Sequence, residues 1–325
     1  QTSLHASGDL QVTDVDAGQS EFAPVTTGTG SYGTFAINAS GHWTYTADGA
    51  HNEFASGTTH FDSYTFYSED GSESRTVTVT IAGTNDGPSL VTSGRVDTGS
   101  VTESGHEDNR TIVSGTGVAT GALYANDPDA SSTLTWSVVG QMPETSYGSM
   151  HVNPEAGSWT YTLSNGLSAT QGLKEGESVT QDFTIRATDN YGATLDQVVT
   201  ITIQGTNDAP EVFGASLSGS QNETFTATLP SVSDVDAVGA PIYANTSGPA
   251  HGSVVISTSG LVTFTAGTAF DALAQGETEV VSFGYRATDD KGAQSADASV
   301  SVTITGTNDA PEIALGSQAD GVKED

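Results

Sequence analysis

A six-residue segment closes three successive stretches of the 325-residue chain. Its copies read Gly-Thr-Asn-Asp-(Gly or Ala)-Pro and occupy residues 83–88, 205–210 and 306–311. Gly, Asn and Asp favour turns, and Pro cannot donate a hydrogen bond to a central sheet ladder. Each copy therefore ends a strand and marks a boundary between repeated units.

Alternating apolar and polar residues precede each closing motif, at Thr76–Ile81, Val199–Ile203 and Val300–Ile304. A period of two is typical of a half-buried β-strand. Repetition at this spacing predicts three units with one strand order. The predicted units are residues 1–87, whose N-terminal edge is expected to be cut off, 88–209 and 210–310, with 311–325 as the start of another repeat.

Three further landmarks recur in the same order. They are an Asp-x-Asp near the start, a Gly-initiated hairpin whose return strand reads Trp43-Thr-Tyr45, Trp159-Thr-Tyr161 or Val262-Thr-Phe264, and a strand that ends at Asp70, Asp189 or Asp289. Helical periodicity is nearly absent, and Ala269–Ala274 is long enough only for a turn. The sequence predicts an all-β chain of three antiparallel sandwiches with about seven strands each.

Charge and composition exclude several classes of function. The chain has 8 Lys and Arg against 40 Asp and Glu, for a net charge of -32, so it lacks the basic footprint that nucleic acid requires. It has no Cys, which excludes disulfides, thiolate zinc sites and thiol nucleophiles. It contains no apolar run of membrane-spanning length. We expect neither a nucleic-acid partner nor a membrane-embedded segment.

Enzyme motifs fail on their context. Residues 28–33 match a dinucleotide-binding pattern, but they lead into a strand, which indicates a loop. The sequence shows no grouping of Ser, His and Asp typical of a nucleophile. The hairpin aromatics Trp43, Tyr45, Trp159 and Tyr161 could form a carbohydrate platform, yet their repetition at one structural position favours core packing. We predict no enzymatic activity.

The Asp-Val-Asp-Ala opening, the Gly-x-Gly-x-Trp-Thr-Tyr-like hairpin and the closing Gly-Thr-Asn-Asp-x-Pro together resemble VCBS repeats. These are cadherin-like sandwiches of long bacterial adhesins that are exported by type I secretion and often carry RTX repeats. The resemblance covers residues 9–311. The third unit lacks the hairpin Trp and is similar to a more general bacterial cadherin-like repeat. The implied fold is three tandem cadherin/Ig-like antiparallel β-sandwiches.

The resemblance also implies Ca²⁺ sites between units, held by oxygens from both sides. The second boundary would use Glu103, Glu177, Asn207, Asp208, Asp234, Asp236 and Asp289. The first would use Asn85, Asp86, Asp127, Asp129 and Asp189, with Thr58 where the second has Glu177. Half-sites would contain Asp14, Asp16 and Asp70 at one end of the chain and Glu223, Glu277, Asn308 and Asp309 at the other. The number of ions per junction stays open, and the alternative is that these residues only cap turns.

The predicted function is a calcium-rigidified spacer of a bacterial cell-surface adhesin that serves cell adhesion and biofilm formation. It would be extracellular and monomeric, with neighbouring repeats as its partners. The alternative is a module that binds a host or surface glycan or peptide, for which the second unit has extra material at residues 90–113 and 141–147. A weaker alternative is an accessory region of a secreted enzyme.

The two internal boundaries are expected to differ. The stretch from Gly83 to Asp127 is longer than the one from Gly205 to Asp234, and its extra residues either decorate the second unit or lengthen the connection. The first boundary also has Thr58 in place of an acid. We therefore predict weaker calcium affinity and greater bending at the first boundary.

Overall fold

The computed structural model describes residues 4–15, 20–106, 112–140, 147–311, 313 and 316. Its regular structure is almost entirely β-strand, which confirms the predicted all-β class. Buried apolar side chains form three cores in the described residues. We call the parts of the chain that precede the closing motifs at 83–88, 205–210 and 306–311 unit 1, unit 2 and unit 3.

Unit 1 packs two sheets against each other around Phe35, Tyr45 and Phe66. Strands β1 to β4 form one sheet in the order β1-β4-β3-β2, and β5 pairs with β6 in the other. The strands are β1 His5–Asp9, β2 Val25–Thr29, β3 Gly33–Ile37, β4 His42–Ala47, β5 Thr59–Tyr67 and β6 Ser74–Ala82.

Unit 2 has the sheets β13-β16-β17-β8 and β11-β15-β14, together with the small pairs β12-β7 and β10-β9. Its strands are β7 Ser89–Val91, β8 Thr98–Thr102, β9 Gly105–His106, β10 Ile112–Val113, β11 Val118–Ala122, β12 Tyr124–Asn126, β13 Leu134–Val138, β14 Gly148–Val152, β15 Ser158–Leu163, β16 Ser178–Asp189 and β17 Thr194–Gln204. A four-residue helix, α1 Ser168–Gln171, precedes β16. The sequence pattern did not predict it.

Unit 3 repeats the two larger sheets of unit 2 as β18-β24-β23-β20 and β19-β22-β21. Its strands are β18 Ala215–Ser220, β19 Thr224–Thr228, β20 Ile242–Ser247, β21 Ser253–Ile256, β22 Leu261–Thr265, β23 Thr278–Thr288 and β24 Ala298–Thr305. A 3-10 turn at Gly267–Phe270 overlaps the predicted single turn at Ala269–Ala274. No helix in the described part of the chain combines the length and apolarity needed to cross a membrane.

The opening strands of units 2 and 3 run parallel to the closing strands, where only antiparallel pairs were expected. Strand β8 pairs with β17, and β18 pairs with β24. Within the described residues of unit 1, β6 pairs with β5 alone.

The predicted hairpins form in all three units, as β3-β4, β14-β15 and β21-β22. Their return strands bury Tyr45, Trp159 and Tyr161, which are at most 2% exposed, while Trp43 is partly buried. Trp159 Nε1 also donates to the backbone oxygen of Val96 at 2.7 Å. The core-packing interpretation of these aromatics is confirmed.

Two loop interpretations are resolved by hydrogen bonds. Residues 28–33 run from the end of β2 through a three-residue turn into the first residue of β3. In this turn the N–H groups of Ser31 and Tyr32 donate to the buried carboxylate of Asp62 at 2.7 and 2.9 Å. In the extra segment, β7 pairs with β12, and Val96 N–H donates to Ala122. This segment therefore decorates unit 2 instead of lengthening the connection. Residues 141–146 lie outside the described part.

Candidate functional site

The first junction joins Asn85 and Asp86 of the closing motif to Asp127, Asp129 and Asp189 of unit 2. Asn85 Nδ2 donates to Asp189 Oδ2 at 3.0 Å, and Asp86 N–H donates to Asp129 Oδ2 at 3.0 Å. Asp127 Oδ1 accepts the N–H of Asp129 at 3.0 Å. The structure thus brings together all five residues predicted for this boundary.

The second junction repeats this arrangement with Asn207 and Asp208 of the closing motif and Asp234, Asp236 and Asp289 of unit 3. Asn207 Nδ2 donates to Asp289 Oδ2 at 2.8 Å. Asp208 N–H donates to Asp236 Oδ2 at 3.2 Å. The closing Asn and Asp therefore contact the next unit in the same way at both boundaries.

The acid after the penultimate strand is positioned by its own turn. Asp189 Oδ1 accepts the N–H groups of Tyr191 and Ala193, both at 2.9 Å, and Asp289 Oδ1 accepts the equivalent two in unit 3. One carboxylate oxygen is thus held by the turn while the other faces the preceding unit. This is why an acid at the end of β16 or β23 links two units.

Glu103 adds a fully buried carboxylate to the second junction. It follows β8, and its oxygens accept Gln171 Nε2 at 2.8 Å and Thr206 N–H at 3.3 Å. Burial raises the pKa of Glu103 to about 7, and the negative charges of Asp208 and Asp236 raise it further against the effect of the two donors.

Acids at both junctions destabilise one another. Burial raises the pKa of Asp236 to about 7, and the adjacent carboxylate of Asp234 raises it further. At the first junction, burial and then the charges of Asp129 and Asp127 raise the pKa of Asp86. A raised carboxyl pKa means that burial and the neighbouring acids disfavour the ionised form, which a bound cation would favour.

Several buried oxygens at the junctions accept no hydrogen bond. They are Asn85 Oδ1, Asp127 Oδ2 and Asp129 Oδ1 at the first junction, and Thr206 Oγ1, Asp234 Oδ1 and Asp236 Oδ1 at the second. A buried acceptor without a donor costs about 1–3 kcal/mol. Such atoms point to a missing positive partner.

Calcium fits these atoms in donor chemistry, because it takes carboxylate, amide and hydroxyl oxygens. The described residues contain no group of three or more His, Cys, Asp or Glu side chains already placed to hold a metal ion.

The second junction also has a contact that sequence reasoning missed. Lys291 Nζ lies 3.3 Å from Glu175 Oε2 and pairs unit 3 with unit 2. At the first junction Tyr191 stands where unit 3 has Lys291, and the crossing contact is instead Ala130 N–H to the backbone oxygen of Glu53 at 3.1 Å. The available signal was the rarity of basic residues, since a Lys beside the Asp289 turn is one of only 8 Lys and Arg.

The acids predicted before the penultimate strands are displaced from the junctions. Glu177 and Glu277 are exposed. Their side chains accept the N–H groups of Lys174 at 3.2 Å and Ala274 at 3.0 Å, and so cap local turns. Glu175, two residues earlier than Glu177, is the acid that reaches the second junction.

At the end of unit 3, Gln221 occupies the place that corresponds to Glu103, where Glu223 was predicted. The N–H of Gln221 and that of Glu103 both donate to the last backbone oxygen of the closing strand. Gln221 is buried, and its Nε2 donates to Asp309 Oδ2 at 2.9 Å. Glu223 is exposed and accepts Ser220 N–H at 3.1 Å.

In unit 1, Ser68 takes the place of Asp189, although Asp70 was predicted there. Ser68 N–H donates to Glu73 across its turn, as Asp189 N–H does across the equivalent turn. Asp70 lies in the turn, where hydrogen bonds from Ser68 Oγ at 2.6 Å and from Ser72 lower its pKa.

The remaining predicted residues lie at the two ends of the chain. Asp14 is exposed, and its N–H donates to Ser20 Oγ at 3.0 Å. Asn308 and Asp309 are exposed. Asp16 lies outside the described residues.

Sequence comparison finds two families in the chain. Residues 1–83 and 85–205 match the bacterial cadherin-like domain, and residues 207–305 match the bacterial Ig domain. No curated protein sequence matches the chain.

Similar solved structures include two cadherin fragments. The protocadherin gammaB7 EC3-6 cis-dimer structure is 17% identical over 93% of this chain and 69% of its own, with a TM-score of 0.46. Mouse cadherin-23 EC22-24 is 17% identical over 90% of this chain and 89% of its own, with a TM-score of 0.44. Likenesses this distant support no inference about function.

Proposed function

We propose, from the premise that the chain belongs to the bacterial cadherin-like domain family over residues 1–83 and 85–205, that it is a calcium-stiffened spacer of a bacterial surface adhesin. Bacterial cadherin-like and bacterial Ig domains are typically extracellular adhesion modules without enzymatic activity. The observation that carries the calcium proposal is the set of buried junction oxygens that accept no hydrogen bond.

The ion-holding residues would come from both sides of each junction. At the first these are Asn85, Asp86, Asp127, Asp129 and Asp189, and at the second Glu103, Asn207, Asp208, Asp234, Asp236 and Asp289. Bound calcium supplies positive charge and six to eight coordination positions for oxygen. Residues of two units would then coordinate the same ion, and this shared ion would fix the relative orientation of the two units.

Without a cation the same carboxylates repel one another. A like-charged pair 4 Å apart repels by about 4 kcal/mol at an effective dielectric of 20. Burial is the main cause of the raised pKa values of Glu103 and Asp236, and the charges of neighbouring acids raise them further. Extracellular modules bind calcium at about 10⁻⁴–10⁻³ M, so environmental calcium would set the stiffness of the chain. This behaviour suits a spacer in an RTX-type adhesin that serves adhesion and biofilm formation.

Thermal unfolding of the full chain in millimolar calcium and in chelator tests the proposal. Each site should add about 2.7 kcal/mol at a hundredfold excess of calcium over its Kd. Magnesium at the same concentration is the control for ionic strength. An unchanged midpoint in calcium would refute the metal sites.

Small-angle scattering tests the spacer role separately. Three sandwiches end to end, with strands of about ten residues at about 3.3 Å per residue, should extend to about 100–120 Å in calcium. If calcium stabilises the protein but the particle is much shorter than this, the metal sites are supported and the spacer role is excluded.

A further inference from the structure

The loop between the hairpin and the penultimate strand makes the same turn in all three units, but one position in it differs in chemistry. Its backbone oxygen accepts the N–H three residues later at 3.0 Å, as His51 to Phe54, Thr170 to Leu173 and Phe270 to Leu273. Thr170 and Phe270 are buried, and the side chain of His51 is 10% exposed. Only unit 1 therefore has a titratable side chain at this position.

Both ring nitrogens of His51 face hydrogen-bond acceptors. Nδ1 lies 2.9 Å from Glu53 Oε1. Nε2 lies 3.0 Å from Asp48 Oδ1 and 2.9 Å from the backbone oxygen of Tyr32. A neutral imidazole has one N–H, and its other nitrogen is itself an acceptor. All of these contacts can be hydrogen bonds only when the ring is protonated on both nitrogens.

The surroundings of His51 favour this charged form. Burial acts to lower its pKa, but the hydrogen bonds to Glu53 and to the Tyr32 backbone, with the charges of Glu53 and Asp48, raise the pKa above the ordinary 6.5. The other titratable groups packed here are the Tyr32 hydroxyl and His60. Because the folded value is raised, the resulting stabilisation is fully present below pH 6.5 and is lost as the pH rises through the folded pKa.

The loop that His51 holds also contacts unit 2. The backbone oxygen of Glu53 accepts the N–H of Ala130 at 3.1 Å. The ring of His51 stacks on Phe54 with centroids 4.8 Å apart, and Phe54 stacks on His60. His51 has a φ of 54°, which is unfavourable for a residue with a side chain. Contacts of the ring must therefore hold the backbone in this conformation.

We propose that residues 48–53 of unit 1 form a pH-sensitive link to unit 2, in which the doubly protonated ring of His51 positions Glu53 to accept the Ala130 N–H. Loss of one proton would leave a ring nitrogen facing an acceptor with no hydrogen between them. The loop would then loosen, and its contact with Ala130 would weaken. Thr170 cannot respond in this way at the second junction, and the link does not depend on bound calcium.

The test measures the ring titration of His51 and amide hydrogen exchange in the full chain by NMR, from about pH 6 to about pH 9. After correction for intrinsic exchange rates, protection of the Phe54 and Ala130 amides should fall as His51 loses its proton. The loss should be up to about tenfold for each unit by which the measured pKa exceeds 6.5. The equivalent amides of Leu173 and Leu273 should keep their protection.

His51→Phe places the unit 3 residue in the unit 1 loop and should abolish this pH dependence. His60→Gln, which changes the neighbouring imidazole, is the matched control and should retain it. Both are measured in calcium and in chelator, so that a failure of the metal sites is distinguished from a failure of the link. A His51 pKa of 6.5 or below overturns the proposal, as does Ala130 protection that is absent or independent of pH in both conditions. Persistence of the pH dependence in His51→Phe would overturn it as well.

Discussion

The two junctions share a hydrogen-bond frame but differ in charge and in crossing contacts. In both, the closing Asn donates to the acid after the penultimate strand, and the closing Asp N–H donates to the second acid of Asp-x-Asp. The second junction adds the buried Glu103 and the Lys291–Glu175 pair. The repeated hydrogen bonds therefore determine which residues of the two units contact each other. Residues outside the repeated motifs determine how much negative charge lies at each junction.

This comparison supports the prediction of tighter calcium binding at the second junction, for a partly different reason. Glu177, whose counterpart Thr58 was thought to weaken the first junction, is exposed and caps a turn. The additional acid at the second junction is Glu103 instead. No described residue of unit 1 corresponds to Glu103.

The largest expected difference concerns the ion-holding acids themselves. Asp236→Asn should abolish the tighter calcium binding of the full chain, and Asp129→Asn only the weaker. Each lost site should remove about 2.7 kcal/mol of calcium stabilisation at a hundredfold excess over Kd. Calorimetric titration with calcium measures both. Loss of the tighter binding in Asp129→Asn would reverse the ranking of the junctions.

The effect of Glu103→Gln on the stability of unit 2 should reverse its sign when calcium is added. Without calcium it should stabilise unit 2 by about 1–3 kcal/mol, because it removes a buried charge whose pKa is raised to about 7. Gln221 occupies the equivalent place in unit 3, where its Nε2 donates to Asp309. With calcium the variant should lose stability relative to wild type. Melts in chelator and in calcium compare the two, with the exposed Glu177→Gln as control; destabilisation in chelator would contradict the charge argument.

Burial alone does not raise the pKa of an acid, and Asp62 provides the contrast. Although burial acts to raise its pKa, N–H donors from Tyr32 and Ser31 and the Tyr45 hydroxyl lower it below the ordinary 3.8. Its stabilisation is therefore present above pH 3.8 and is lost as the pH falls from there through the lower folded value.

Asp62→Asn should cost unit 1 about 1–3 kcal/mol at neutral pH and remove this acid dependence. Unit 2 provides a matched control, since the hydroxyl of Tyr161 donates to the neutral Gln181 at 2.9 Å. Hydrogen exchange between pH 3 and 7, resolved by unit, measures both. Equal acid sensitivity in units 1 and 2 would show that Asp62 is not responsible.

The smallest expected effect belongs to the Lys291–Glu175 pair. Both side chains are partly exposed, so their coupling should be only about 0.2–1 kcal/mol and should fall with salt. A double-mutant cycle of Glu175→Gln and Lys291→Met, read by urea unfolding in chelator, isolates it. A coupling of zero at low salt would show that the pair adds nothing to the hydrogen bonds of Asn207 and Asp208 across the second junction.

The period-two patterns predicted the closing strands and hairpins well, because alternation records which residues face a core. The parallel strand β8 was not predicted, because Thr98–Thr102 has only one strongly apolar residue and a short polar strand resembles a loop. Its pairing is decided by the open edge of β17, which is a tertiary property.

The structure brings the predicted Asn–Asp pairs together with the Asp-x-Asp acids at the two junctions, since turn motifs keep their spacing. It places three other acidic positions differently from the prediction. Three positions differ from the prediction by two residues within a turn: Ser68 in place of Asp70, Gln221 in place of Glu223, and Glu175 in place of Glu177. Only the backbone hydrogen bonds of the folded turn distinguish those positions, because polar turn residues occupy both.

The parallel pairing of opening and closing strands has a mechanical consequence. In units 2 and 3 the chain enters at the start of one strand and leaves at the end of its neighbour. Tension along the chain would therefore shear the whole row of hydrogen bonds at once instead of unzipping them in turn. A single-molecule stretching experiment would measure this as rupture forces for units 2 and 3 that are higher than those of strand pairs that unzip one hydrogen bond at a time.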